Sequence, residues 1–255
     1  RGLGDVYKRQ VYDYGTATAQ LGLARPNHPN SSIQSSMLNQ ENRNGNTFNG
    51  NAFVDITFLK DFKFTFNVGT TVNEIRYYTT TNPYYGFGAE QNGTVTMYHY
   101  RTTTLNLQQI LNYSHNFGKH NISVMLGHES YKYNYAELSA SKKNMFSYWG
   151  NHELNGAVID GSSAASYSND YNTEGYFFRA LYDYDAKYYF SASYRRDASS
   201  RFHPDHWWGN FYSVGGAYLM SKEDWFDVKW IDMLKIKFSI GQQGNDNIGS
   251  YNYTD

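Results

Sequence analysis

The sequence predicts an all-β fold, and among all-β architectures it points to an antiparallel transmembrane β-barrel ahead of a soluble β-sandwich. Three observations lead there. Runs of two-residue alternation, apolar on one face and polar on the other, recur along the chain, as strands require when their faces meet different surroundings. The composition is polar overall, with mean hydropathy −0.71, yet 18% aromatic, including 26 Tyr and 16 Phe. That pairing suits a wall with an aqueous lumen on one side and aromatic belts at the membrane interfaces on the other. Connections between the alternating runs are also short and long in turn, which assigns one edge of the sheet to each side of a membrane. A soluble secreted β-sandwich that binds or cleaves glycans stays open as an alternative, as does a passive porin-like barrel.

The elements follow in order. Residues 1–10, RGLGDVYKRQ, resemble a translated sequencing-adaptor remnant and are expected to be non-native. Residues 11–47, with Pro26, Pro29 and many Asn, Ser and Gln, read as loop and strand end. The first strand sets Phe48, Ala52, Val54, Ile56 and Phe58 against Asn49, Asn51, Asp55 and Thr57. After a tight turn at Lys60 and Asp61, the second sets Phe62, Phe64, Phe66, Val68 and Val72 against Lys63, Thr65, Asn67 and Thr71, so the two form a hairpin. Residues 76–96, rich in Tyr, Thr, Asn and Gly, read as a long loop. The third strand puts Leu105, Leu107, Leu111 and Tyr113 opposite Asn106, Gln108 and Asn112, and the fourth puts Ile122, Val124 and Leu126 opposite Ser123 and Glu129.

The longest irregular stretch is expected from 132 to 172. A fifth strand over 175–184 and a sixth over 188–196 are joined by the brief DYDAK connection. In the sixth, Tyr188, Phe190, Ala192 and Tyr194 point one way and Tyr189, Ser191, Ser193 and Arg195 the other. The seventh, over 210–220, has Tyr212, Val214 and Tyr218 on one side and Ser213, Gly215 and Ala217 on the other. The segment SKEDWFDVKWIDML is expected to hold a helical turn capped by Ser221. The last strand alternates Leu234, Ile236, Phe238 and Ile240 with Lys235, Lys237, Ser239 and Gly241.

Several functions are disfavoured. A net charge of −1 leaves no basic stripe for nucleic acid. The absence of cysteine removes disulfide and thiolate-metal frameworks. No run of about 18 apolar residues exists for a transmembrane helix, although a barrel strand needs only about 9 to 11 alternating residues. Nucleophile-elbow, phosphate-loop and HExxH patterns are missing, and nothing places Glu153 and Asp160 across one cleft, so the chain is expected not to be an enzyme and to need no cofactor. His203 and His206 around Pro204 and Asp205 lack an evident third imidazole, which makes a metal site a poor reading. Asp183 and Asp185 flank a turn, where Asp is an ordinary turn former as well as a calcium ligand type.

Two stretches look like a known family. Arg195, Arg196 and Asp197, then Ser199, Ser200, Arg201 and Phe202, then Trp208 and Gly209, resemble the R-R-D-G-S-S-R-F and W-G segments of SusC/RagA-type TonB-linked outer-membrane transporters. The run from Leu234 through Gly241 and Gln242 to Gly244, Asn245, Asp246, Asn247, Ile248 and Gly249 is similar to that family's L-K-L-R-x-S-Y-G-x-T-G-N-x-x-I-G segment. Ala198 stands where the family has Gly, and Gln243 where it has Thr. The resemblance implies that residues 48–255 are part of a barrel of about 22 strands, an open piece of about eight whose plug and TonB box lie elsewhere. It further implies import of oligosaccharides or peptides with a SusD-like surface lipoprotein, energy from the TonB complex, and a place in the outer-membrane lipid.

On that reading Arg195, Arg196, Asp197, Ser199, Ser200, Arg201, Phe202, Trp208 and Gly209 form a structural rim motif where a strand enters an extracellular loop. Tyr84, Tyr85, Trp149 and Trp207 are the ligand candidates, because loop aromatics can stack on sugar faces or peptide side chains. The competing role for each is a place in the interface girdle.

Overall fold

The computed structural model describes residues 38–247 other than 85, 149 and 151, and the side chains among them other than those of 86, 87 and 158–162. Eight antiparallel strands form one open sheet in sequence order: β1 (Gln40–Phe58), β2 (Phe62–Thr81), β3 (Thr94–Phe117), β4 (His120–Met145), β5 (Ala157–Tyr184), β6 (Tyr188–Ser199), β7 (Trp208–Leu219) and β8 (Lys235–Gly241). Each strand pairs with its sequence neighbour, so every connection is a hairpin and none crosses the sheet. Among the described residues no helix is long and apolar enough to cross a membrane.

The chain divides into two compact units. The first takes the described residues of Arg1–Thr47, Asn73–Thr102 and Tyr135–Asn169; the second takes those of Phe48–Val72, Thr103–Asn134 and Asp170–Asp255.

In the second unit the strand register fixes two faces. Phe178 lies opposite Tyr194, Ala180 opposite Ala192, Tyr182 opposite Phe190, and Tyr184 opposite Tyr188. Beyond β6, Tyr212, Val214 and Tyr218 pair with Tyr194, Ala192 and Tyr188, and β8 adds Ile236, Phe238 and Ile240. One face is therefore apolar across four strands, and the other holds Tyr189, Ser191, Ser193, Arg195, Ser213, Gly215, Lys237 and Ser239. Farther along, Phe64, Leu111, Leu126, Phe178 and Tyr194 line one shallow depression, which shows that the apolar face runs on from β6 to β2. Val54, Ile56, Phe190 and Ile236 are exposed, while Phe64, Phe66, Leu107 and Leu111 are half-buried. None of them packs under a second sheet among the described residues. In water so large an apolar surface would be an association site, and among the described residues it lacks the second sheet that a sandwich would lay over it.

Apolar burial is concentrated in the first unit. There Val95, Met145, Tyr148 and Ala157 form a small core, with Met97 and Leu154 packed against it.

The strands are longer than the alternation indicates. β2 and β3 run into the expected 76–96 loop, leaving 82–93 between them; β4 and β5 run into the expected 132–172 stretch, leaving 146–156; β1 begins at Gln40 rather than Phe48. These extensions are rich in Tyr, Thr, Asn and Ser. They favour strands through side-chain shape, but with polar or amphipathic groups on both faces they show no contrast of hydropathy. The short connections are 59–61, 118–119 and 185–187. Two of them use left-handed backbone at paired residues, Leu59 and Lys60 (φ 49° and 62°) and Asp185 and Ala186 (φ 54° and 50°). That is the geometry of a tight hairpin turn whose twist matches its strands. A further connection, 220–234, lies at the same ends of the strands as these turns and is long. Ser221 does not cap its helical turn: the turn is Met220–Lys222, Leu219 precedes it, and no side chain caps it.

Candidate functional site

In the second unit, alternation along β6 puts Arg195 and Asp197 on one face and Arg196 on the other. Arg195 Nε donates to both carboxylate oxygens of Asp197, at 2.6 and 2.8 Å, and Nη2 donates to Glu129 at 3.4 Å. Its guanidinium lies 5.5 Å from the centroid of the Phe177 ring. One side chain therefore ties β6 to β4 across β5. Gly175, directly opposite Asp197 on β5, makes this possible, since a Cβ there would collide with Asp197 Oδ1. On the other face Arg196 stacks over Trp208, 5.0 Å from the ring centroid, and Trp208 lies 6.0 Å from the Tyr176 ring. This cation–π and aromatic cluster has the chemistry of an interfacial belt.

The β6–β7 loop closes on itself and on β5. Ser199 N–H donates to the Trp207 carbonyl at 3.2 Å, Ser200 N–H to the Asn172 carbonyl at 3.0 Å, and Trp207 Nε1 to the Phe202 carbonyl at 2.8 Å. Segment 242–247, which follows β8, is then drawn in by Asp246. Its carboxylate accepts from Ser199 Oγ at 2.9 Å and from the Tyr171 hydroxyl; Arg201 Nη1 donates to its carbonyl at 3.2 Å and stacks 4.2 Å over the Tyr171 ring. The two motif segments, far apart in sequence, thus meet at one carboxylate. Burial works to raise Asp246 itself, but the hydrogen bonds from Tyr171 and Ser199 and the charge of Arg201 overcome it and hold the group below its ordinary value. Beside this clamp is a cavity of about 370 Å³ reached by Trp207, His206, Asp197 and Asn245.

The first unit presents a tyrosine ladder on one sheet face. Tyr77 and Tyr98 have centroids 5.5 Å apart, Tyr98 and Tyr100 6.0 Å with rings 5° from parallel, Tyr100 and Tyr135 6.3 Å, and Tyr135 and Tyr167 6.2 Å. Glu41, Arg43 and Asn73 share a cavity of about 370 Å³ with Tyr77, Tyr100 and Tyr135, and the Tyr135 hydroxyl donates to Glu137 at 2.8 Å. Rings beside carboxylates, an amide and a guanidinium offer stacking and hydrogen bonding together.

The four ligand candidates from sequence fall differently. Tyr85 and Trp149 lie outside the described residues. Tyr84 belongs to the first unit, where its N–H donates to Asn82 Oδ1 at 3.0 Å and its ring meets Tyr148 edge-on. Trp207 belongs to the second unit and closes the β6–β7 loop. The ladder was not singled out from sequence, although Tyr98 and Tyr100, and Tyr131, Tyr133 and Tyr135, recur every second residue, which is a strand signal in itself. His203 Nδ1 accepts from Asp205 N–H at 3.3 Å, so it caps the short turn at Pro204–His206. Asp183 accepts from Asn121 at 2.9 Å, and Asp185 pairs with Lys119 at 3.2 Å.

No protein-family model matches the chain. Among curated proteins it is similar to the TonB-dependent receptor P3 of Formosa agariphila, 29% identical over 219 residues, covering 83% of this chain and 21% of that protein. It is similar also to the TonB-dependent receptor SusC of Bacteroides thetaiotaomicron, 26% identical over 235 residues, covering 89% and 22%. Among solved structures, that of the RagAB peptide transporter matches with a TM-score of 0.81 and 25% identity, over 91% of this chain and 26% of that one. The chain spans about a fifth of the length of the curated relatives it matches. Motif segments that meet in space, one open antiparallel sheet with an apolar face, and these likenesses agree that the chain is a stretch of the β-barrel of a SusC/RagA-type TonB-dependent transporter.

Proposed function

We propose that the chain forms part of the wall and mouth of an outer-membrane importer of oligosaccharides, with a SusD-like surface lipoprotein as lid and the TonB complex as energy source. The observation that carries this is the likeness in sequence and fold to SusC and RagAB over nearly the whole chain. The tyrosine ladder favours a sugar: C–H faces of pyranose rings stack on phenols while hydroxyls bond to Glu41, Glu137 and Asn73. A peptide, the cargo named for RagAB, is the second reading, supported by that likeness. Tyr84 in the first unit and Trp207 in the second are further candidate stacking surfaces, with Tyr85 and Trp149, outside the described residues, proposed for the same role from sequence alone, and the rim motif from Arg195 to Gly209 shapes the loop that bears Trp207. The protein performs no catalysis in this scheme.

The test is uptake of labelled oligosaccharides by cells making the full-length transporter and its lipoprotein. Saturable uptake that stops when the proton-motive force is dissipated is expected; uptake that continues would mean a passive pore. Replacing Tyr100 and Tyr135 together by Ala is expected to raise the half-saturating concentration about tenfold, since each aromatic contact is worth about 0.5–1.5 kcal/mol. An unchanged value would remove the ladder from the substrate path.

A further inference from the structure

The 220–234 connection shares its edge of the sheet with tight turns, and its length is not spent on disorder. Glu223 N–H donates to the Met220 carbonyl at 3.0 Å, Phe226 N–H to the Glu223 carbonyl at 3.0 Å, and Ile231 N–H to the Val228 carbonyl at 3.0 Å. Glu223 pins the segment: its carboxylate accepts from Lys187 Nζ at 3.0 Å, from the Tyr188 hydroxyl at 2.9 Å and from the Tyr218 hydroxyl at 3.1 Å. Tyr188 and Tyr218 are cross-strand partners, stacked at 4.9 Å on the apolar face. The connection is therefore fastened to the Tyr188–Tyr218 pair on the apolar face and to Lys187 at the neighbouring turn. From there Phe226, Val228, Ile231 and Leu234 turn inward and half-buried, while Trp225, Trp230 and Met233 turn outward at 63%, 83% and 70% exposure.

Short turns mark the periplasmic edge of an outer-membrane barrel. We propose that residues 220–234 form a seat in the phospholipid headgroup layer of the periplasmic leaflet, with Trp225, Trp230 and Met233 inserted at the level where the apolar face ends. Indole has an apolar body and one N–H donor, so it partitions to that layer. The segment leads directly into β8, where Ile236 and Phe238 stand exposed on the apolar face. The proposal rests on the outer-membrane reading above.

It is tested with the full-length transporter in phospholipid bilayers, nitroxide-labelled through Trp230→Cys, Lys229→Cys or Phe238→Cys, one at a time. These residues contribute no competing thiol, since the chain has no Cys. Relaxation by oxygen, which concentrates in lipid, is compared with relaxation by a water-soluble nickel chelate. The expected result is oxygen-dominated relaxation at 238, intermediate but oxygen-favouring relaxation at 230, and nickel-dominated relaxation at 229. Glu223→Gln, which weakens the fastening, should shift 230 toward nickel and leave 238 unchanged. Nickel access at 230 equal to that at 229, or access by neither reagent because protein covers the site, overturns the seat while leaving the importer intact. Nickel access at 238 overturns the membrane reading and the seat together.

Discussion

Asp246 gathers Ser199 and Tyr171 through its carboxylate and Arg201 through its backbone carbonyl, with the guanidinium 3.9 Å from Oδ1. Asp246→Asn keeps an acceptor but removes the carboxylate charge, and should loosen segment 242–247 by about 1.5–3 kcal/mol, the range of a hydrogen bond to a charged group. Hydrogen exchange at 200–202 and 242–247 in the full-length protein reads this, and unchanged protection would show that the clamp is incidental. The clamp should also depend on pH. Because Asp246 is held below its ordinary value, its contribution is present above the unfolded carboxylate range and fades as pH falls through the folded value. Protection of 242–247 should therefore be flat through neutrality and fall in acid. The words RRD and SSRF were legible as a motif, and so was Gly244 to Asp246, but their meeting at one carboxylate was not. Nothing local in sequence says that the chain after β8 folds back over β6 and β7.

At the scale of elements, legibility followed contrast. Strands with one apolar and one polar face, such as β6 with Phe190 opposite Ser191, announce themselves, whereas the ends of β2 to β5 alternate Tyr and Thr with other polar groups and read as loop. The tyrosine ladder was missed for the same reason, because it stands on those extensions. Turn chemistry gives a separate test. Ala186 holds φ 50°, a conformation costing an L-residue roughly 1–2 kcal/mol. Gly there escapes that cost but loses about 0.5–1 kcal/mol in chain entropy, so Ala186→Gly should leave stability equal or raise it by up to about 1.5 kcal/mol in denaturant titrations. Gly175→Ala is expected to act oppositely. Its Cβ would collide with Asp197 Oδ1, and displacing the Arg195 bridge should cost about 1–3 kcal/mol, the range for overpacking. Retained stability in this variant would mean that the ion pair can move aside freely.

For the molecule as a whole, the direction of each face mattered more than any single site. Sequence alternation already placed Tyr194 and Arg195 on opposite faces, and the β5–β6–β7–β8 register agrees. What alternation could not supply was the environment of each face, because an apolar stripe reads the same against lipid as against a second sheet. No second sheet lies over Val54, Ile56, Phe190 and Ile236 among the described residues, and the chain is similar to TonB-dependent transporters; these two observations support the proposed lipid-facing role of the apolar stripe. Single cysteines placed at each position from 189 to 194 in the full-length transporter, reconstituted in bilayers and treated with a water-soluble maleimide, test this directly. Labelling at 189, 191 and 193 with protection at 190, 192 and 194 is the predicted result; equal labelling of both sets would contradict a β6 that separates lipid from an aqueous lumen.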